Sequence, residues 1–416
     1  MTTGQSFFNL GLRGLSLGAR FLLIFYLGKY FSIEELGSYG IFFTTVTLAI
    51  FLLGLDFYNF SNREVLLVRE EDRLSLLRDQ LVFYAAVYVV CLPLLLFIFF
   101  YNVLPLSYIV FFYVILILEH LSQEFYRLFT MLSFPVFANW LLFFRSGIWV
   151  YVLMMVWWIM PPKEHSLTDV WWGWIVGAGI SVILGFVKIG ILYKKYILKP
   201  IDFNWIKSGI KVSIYYLAAT IALKIIEFSN RYMIEYWCSI KAVGIYTFYN
   251  QMANMINVVI FTLFIMVMYP KFITAVNQNN RLNLKHIKTS LMKKVVISSC
   301  LLGLILVVII KPILYLINKD DFYNEIDTFY VLILSNMVLN ISFVYHYMLY
   351  ALKKDMTILV STLIGAVASI ILNAVLINWM GILGAAIAIL ISYIIISFIK
   401  AFYARKSELD FEKAST

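Results

Sequence analysis

The chain has 416 residues and a formal net charge of +10; 62% of its residues are hydrophobic, 18% aromatic and 13% charged. This balance excludes a soluble globular domain and indicates an all-α integral membrane protein, since the long apolar runs lack the alternation of a membrane strand. The basic excess sits in loops suited to anionic lipid, so no nucleic acid is expected. About 20 apolar residues carry a helix across about 30 Å of hydrocarbon. In chain order such stretches run at Leu10 to Phe31, Leu36 to Tyr58, Leu81 to Tyr101, Leu106 to Thr130, Val136 to Met160 and Val170 to Tyr193. Six more follow at Val212 to Ile234, Val243 to Tyr269, Val295 to Ile317, Ile326 to Tyr350, Met356 to Asn378 and Gly381 to Tyr403, making twelve.

Connections after even-numbered stretches hold Arg63, Arg69, Arg73 and Arg78, then Lys194, Lys195, Lys199 and Lys207, with further basic clusters at Lys271 to Lys294, Lys353 to Lys354 and Arg405 to Lys413. Connections after odd-numbered stretches offer only Lys29, Lys163, Lys241, Lys311 and Lys319. By the positive-inside rule both termini are cytoplasmic, which requires an even number of crossings. The first stretch contains Arg13 and Arg20 with no small-residue cleavage site after it, so it is expected to remain as a span. Between the second and third, Asn59 to Gln80 has leucines at helical spacing among charges and is expected to form a short interfacial helix.

A shift of 207 positions aligns Phe21 with Phe228, Ser32 with Ser239, Ile33 with Ile240, Gly37 with Gly244 and Tyr39 with Tyr246. The matches cluster at the end of an odd stretch and the short outer turn after it, and six crossings per half give the two halves one orientation. The expected organisation is a six-helix bundle over 1–193, a cytoplasmic linker over 194–211 and a second six-helix bundle over 212–416, the repeat being parallel.

Ionisable residues inside these runs are the candidates for function, because a charge at bilayer depth costs at least about 2.5–3.5 kcal/mol. Arg20 and Arg145 fall near mid-span, and Arg13 lies seven residues before Arg20 on nearly the same helix face. Guanidinium groups pair bidentately with phosphate oxygens, which suits a pyrophosphate headgroup; neutralisation by protein carboxylates is the alternative. Lys224, Glu227 and Arg231 share one face of the seventh stretch, with Arg231 read as interfacial; Lys224 and Glu227 form either a state-dependent pair or a permanent one. The fourth stretch carries Glu119, His120, Glu124 and Arg127, and Asp56 ends the second. These five are candidates for coupling or gating, a buried carboxylate being able to exchange a proton with a changing cavity. Asn250, Asn254, Asn257, Asn336 and Asn340 are read as helix glue. Trp157, Trp158, Trp171, Trp172 and Trp174 are read as an aromatic belt, and the pairs Gly14/Gly18 and Gly173/Gly177 as close helix approaches. Cys91, Cys238 and Cys300 have no metal-ligand or disulfide pattern, and Walker, zinc and nucleophile-elbow motifs are absent. No cofactor and no catalytic residue is therefore expected.

The arginine-bearing first stretch, the turn KYFSIEELGSYG at Lys29 to Gly40 and LLGLDFYNFSNRE at Leu52 to Glu64 resemble the polysaccharide transporter branch of the multidrug/oligosaccharidyl-lipid/polysaccharide (MOP) exporter superfamily, specifically Wzx-type O-antigen flippases. The resemblance implies a fold like that of multidrug and toxin extrusion (MATE) transporters, working by alternating access in the bacterial inner membrane. It implies an undecaprenyl-pyrophosphate-linked oligosaccharide as substrate, coupling to H+ or Na+, and an O-antigen polymerase and chain-length regulator as partners. Arg20 matches the family's cavity arginines by its helix; Arg145, Lys224 and Glu227 match only by location. A multidrug or cation antiporter of the same fold is one alternative. A membrane enzyme of the O-antigen polymerase or ligase kind is another, disfavoured by the short outer connections.

Overall fold

The computed structural model describes residues 3–195 and 199–413, and among these every regular element is helical. In hydrocarbon each backbone N–H and C=O must find a partner within the protein, which long helices achieve internally. The main helices are α1 (Thr3–Tyr30), α2 (Ile33–Gly54), α3 (Tyr58–Leu67), α4 (Glu70–Leu94), α5 (Ile109–Met131), α6 (Pro135–Phe143), α7 (Trp149–Ile159), α8 (Leu167–Tyr193) and α9 (Phe203–Trp237). They are followed by α10 (Ile240–Ile260), α11 (Met266–Asn277), α12 (Arg281–Ile317), α13 (Ile326–Ala351) and α14 (Asp355–Lys413). Single π-helical turns, Phe144–Ile148 and Phe261–Ile265, join α6 to α7 and α10 to α11 within continuous apolar rods.

Among the described residues eleven helices are long and apolar enough to cross a membrane. The last of these, Asp355–Leu409, would be roughly 80 Å long if straight, far more than the hydrocarbon requires. It breaks at Gly381 (φ 57°, ψ −135°), a conformation that only glycine adopts readily. A Cβ on Gly384 would lie 2.0 Å from the Leu376 carbonyl oxygen, and one on Gly365 would lie 2.3 Å from Ile396 Cδ1, so the two arms fold back antiparallel. Each arm of this hairpin is long enough for a crossing, at about the positions read from the sequence, so the eleven helices have the length for about twelve passes.

The chain forms two compact units, one comprising the chain to Phe31 together with Ile41–Thr220 and the other Ser32–Gly40 with the chain from Ile221 onward. In the first unit α5 and α8 meet through Ser122 and Ser181 (2.7 Å between hydroxyls) above a core that includes Phe125, Phe129 and Val182. The segment expected as a linker is docked on this unit where it is described. Lys199 N donates to Ser75 Oγ (3.0 Å), Asp202 N to Asp79 Oδ2 (3.1 Å), and Trp205 packs on Phe57 and Phe60. The division therefore falls within α9 rather than at residues 194–211, because polar contacts to α4 anchor the start of α9. The expected interfacial helix is α3, which stops at extended Val68 and leaves Leu66 and Leu67 exposed, while the rest of that stretch is the start of α4.

Three of the five belt tryptophans are core residues instead. Trp157, Trp171 and Trp174 are buried, with Trp171 stacked on Phe42 at 4.0 Å and Trp157 on His165 at 5.0 Å, and only Trp158 and Trp172 are exposed. Trp171 and Trp174 are three apart, so one inward face of α8 takes both. Gly173 and Gly177 receive Trp149, as a close approach requires, whereas a Cβ on Gly14 would meet nothing within 4 Å, so Gly14 is no contact point.

In the second unit the outer turn of the first half packs against the start of α10. Ser32 and Glu35 cap α2 reciprocally (Glu35 N to Ser32 Oγ 3.1 Å, Ser32 N to Glu35 Oε2 2.8 Å), and Ser239 caps α10 by accepting from Ala242 N at 3.1 Å. A Cβ on Gly37 would lie 2.1 Å from the Ile240 carbonyl oxygen, and one on Gly244 2.1 Å from the Ile33 carbonyl oxygen. Each contact maps onto the other under the 207-residue shift, which makes the crossing two-fold symmetric and ties the sequence repeat to a structural one. Gly37→Ala and Gly244→Ala should each sharply reduce folded protein, and to similar extents, because a backbone carbonyl cannot yield to a methyl group. Gly14→Ala should be neutral or stabilising by about 0.5–1 kcal/mol. Thermal unfolding in detergent reads all three, and equal stability of Gly37→Ala and Gly14→Ala would contradict the crossing.

Candidate functional site

Helix α5 organises the ionisable residues of the first unit. Glu119, His120, Gln123, Glu124 and Arg127 fall on one helical stripe, and Glu119, His120 and Glu124 are buried. Glu119 sits ten residues into α5, about 15 Å along it. It accepts hydrogen bonds from Trp174 Nε1 (3.0 Å) and Gln123 Nε2 (3.2 Å), and its Oε1 lies 3.4 Å from Arg145 Nε. Arg145 belongs to the first π turn, where Gly177 lets α8 come within contact of the Phe144 carbonyl and where Trp149 Nε1 donates to the Arg145 carbonyl at 2.9 Å. With 8% and 9% exposure, Arg145 and Glu119 form a buried ion pair. Read from sequence as a substrate contact, Arg145 is here neutralised within its own unit.

A second cluster lies one to two turns along α5. Glu124 pairs with Arg127 (2.6 Å) and accepts from Tyr84 OH (2.7 Å) and Gln80 Nε2 (3.0 Å), while Ser61 Oγ donates to Gln80 Oε1 at 3.0 Å. The Arg127 guanidinium stands 3.8 Å from the centroid of the Tyr58 ring. Burial raises the Tyr58 hydroxyl above its usual pKa, with Arg127 opposing the shift and Asp56 and Glu124 adding to it. Asp56 itself is 2% exposed, at a left-handed bend (φ 51°) joining α2 to α3. His120 is fully buried, shares a hydrogen bond with Tyr88 OH (2.5 Å) and abuts Gly54, where a Cβ would lie 2.8 Å from Nε2. Asp56, His120, Glu124 and Arg127 thus tie the end of α2 to α3, α4 and α5, and Glu119 faces Arg145 apart from them.

The two arginines of α1 differ. Arg13 donates to Asn139 Oδ1 (3.0 Å) and Tyr126 OH (3.3 Å), fixing α1 to α5 and α6. Arg20, ten residues from the end of the apolar segment Phe8–Tyr30, is exposed.

In the second unit Lys224 Nζ pairs with Glu227 Oε2 at 2.6 Å, with side chains 20% and 25% exposed. Arg231, expected at the interface, is only 1% exposed. It reaches the Glu227 carbonyl at 3.4 Å and lies near the Phe228 and Tyr246 rings (5.3 and 5.9 Å), with no ion pair among the described residues. Its spacing from Lys224 and Glu227 was the available signal. A second buried cation, absent from the sequence reading, is Lys400, 6% exposed and 3.4 Å from His346 Nδ1. No group of three potential metal ligands occurs among the described residues.

Removing one partner of a buried ion pair typically costs about 3–5 kcal/mol, whereas replacing both by apolar groups is often neutral. Glu119→Gln or Arg145→Met alone should therefore lower the thermal unfolding temperature markedly, and the Glu119→Leu/Arg145→Met double variant should recover most of the loss. Additive losses would show that the two residues act separately.

The structure is similar to the inward-facing conformation of a multidrug resistance MATE family transporter of the MOP superfamily (TM-score 0.68, 13% identity, 97% of this chain and 96% of that one) and to an outward-facing conformation of such a transporter (0.68, 12%, 97% and 95%). It is equally similar to the lipid II flippase MurJ in an inward closed conformation (0.69, 14%, 98% and 89%). The MATE-like all-α fold expected from the sequence is thus observed. The profile of the polysaccharide biosynthesis protein family matches residues 4–276, and the chain belongs to that family. Among curated proteins none matches.

Proposed function

We propose that this protein is a flippase for an undecaprenyl-pyrophosphate-linked oligosaccharide, the repeat unit of an O-antigen or capsule, which it carries from the cytoplasmic to the outer leaflet of the bacterial inner membrane by alternating access. The carrying observation is Arg20. Facing lipid, a guanidinium halfway along an apolar segment would cost at least about 2.5–3.5 kcal/mol, so its exposure supports a wet surface at bilayer depth. A cation there suits a pyrophosphate, and the family description supports a glycan-bearing cargo. Lys224 and Glu227, partly exposed at mid-helix, are further proposed contacts on the second unit, and Arg13 leads toward Arg20 along α1 from the cytoplasmic end. Arg145 serves Glu119 and has a structural part in this reading.

Asp56, His120, Glu124 and Arg127 are assigned to closing the end of the first unit. Coupling to H+ or Na+, with Glu119 as the acid, belongs to the same proposal, as do an O-antigen polymerase and chain-length regulator as downstream partners and cytoplasmic termini set by the basic connections.

Arg20→Ala should abolish translocation of a lipid-linked oligosaccharide in reconstituted vesicles, with unchanged abundance and unfolding temperature, while Arg20→Lys should retain part of it. The assay is run with an imposed proton gradient, a sodium gradient and neither. Full activity of Arg20→Ala would remove Arg20 from the substrate path, and export of cationic drugs without flipping would favour the multidrug antiporter.

A further inference from the structure

We propose that the second unit carries a dedicated site for an anionic glycerophospholipid of the surrounding bilayer, in the groove between the start of α12 and the end of α14. The groove has a volume of about 710 Å³. Lys285, Lys288 and Lys293 from α12 and Arg405 from α14 line it, against a single acid among the described side chains, Glu408. Glu408 is buried and already bridged to Lys288. Lys285, Lys293 and Arg405 make no ion pair among the described residues, which leaves three uncompensated cations around one cavity.

Helical spacing aims both walls at the same place. Lys285, Lys288 and Met292 succeed one another by three and four residues on α12, as do Phe398, Ala401 or Phe402, Arg405 and Leu409 on α14. The α14 wall is apolar where it leaves the basic end: Phe398 is 73% exposed and Phe402 59%. A soluble phosphate has no use for such a wall, whereas an acyl chain does. Depth agrees, because Lys293 and Lys294 immediately precede the apolar run that begins at Val295. Lys285 to Lys293 spans about 12 Å of helix, so the cations stand at headgroup level with the aromatic side chains toward the hydrocarbon. The cavity falls in the size range of small-molecule sites and can hold a phosphodiester headgroup with the first part of its chains. Basic pockets between membrane helices recognise lipid phosphates by this combination of charge and depth.

The experiment compares the purified full-length protein with a Lys285→Gln/Lys293→Gln/Arg405→Gln variant, and with a charge-matched control, Lys271→Gln/Lys353→Gln/Lys354→Gln, drawn from exposed basic residues outside the groove. Native mass spectrometry counts retained lipid after titration with phosphatidylglycerol or cardiolipin, with phosphatidylcholine, with glycerol 3-phosphate and with undecaprenyl pyrophosphate. The wild type and the control should hold one anionic phospholipid that phosphatidylcholine and glycerol 3-phosphate do not replace. The groove variant should bind it roughly 100-fold more weakly, with an unchanged unfolding temperature in zwitterionic detergent. Equal retention by the groove variant, equal retention of phosphatidylcholine, or selective occupancy by undecaprenyl pyrophosphate would each overturn the assignment.

Discussion

The structure depends on a backbone-to-backbone crossing. At Gly37 and Gly244 the carbonyl oxygen of Ile240 or Ile33 occupies the space a Cβ would need, so the starts of α2 and α10 touch without intervening side chains. Serine caps set the phase of each helix: Ser32 precedes Gly37 by five residues, as Ser239 precedes Gly244. A cap fixes where a helix begins and therefore which way its fifth residue faces. A serine and a glycine at fixed spacing, present once in each half, thus define one register. Thr247 meets Gly40, its own counterpart under the repeat, so a large residue at position 40 is excluded as well.

Ionisable residues within apolar runs have three fates here, and residue identity does not distinguish them. Arg145 is buried against Glu119, the Lys224–Glu227 pair is half open, and Arg20 is exposed. What buries Arg145 is an opposite charge, Glu119, that another helix brings to the same depth. For Arg145 that requires the π turn, which displaces the residue from regular α-helical phase, and the Gly177 approach that seats α8 beside it. The glycine pair Gly173/Gly177 is visible in the sequence as a close approach, but the π turn is not. The Lys224–Glu227 pair is local, three residues apart on one helix, and so was legible.

Much of the fold could be read from the chain because bilayer thickness and helical rise leave few options. The hairpin at Gly381 follows as two spans from length, and the repeat from serine, isoleucine and glycine matches. The unit boundary was not legible, since it depends on Asp79, Ser75 and Phe57 receiving the segment that precedes and begins α9. Tryptophan position was misleading for a related reason: an indole near a span end suits the interface, but Trp171 and Trp174 sit on the inward face of α8. Arg231 and Lys400 were passed over because each lies within about two turns of a predicted span end, where snorkelling is the ordinary expectation. Aromatic rings around Arg231, and His346 beside Lys400, hold them inside instead.

The buried pairs also bear on how such a protein moves. Breaking either the Glu119–Arg145 pair or the Glu124–Arg127 network within the first unit would strand a charge at a cost of about 3–5 kcal/mol. The Glu124 network joins three elements, α3, α4 and α5, through hydrogen bonds and a cation–π contact that each fix a side-chain geometry. Internal rearrangement of these elements is therefore expensive compared with motion of the unit as a body, for which hinge and shear transitions provide ready routes. Under the proposed alternating access, a charged cargo is better served by a cation at an exposed position, such as Arg20, than by one that must first abandon a buried acid, as Arg145 would.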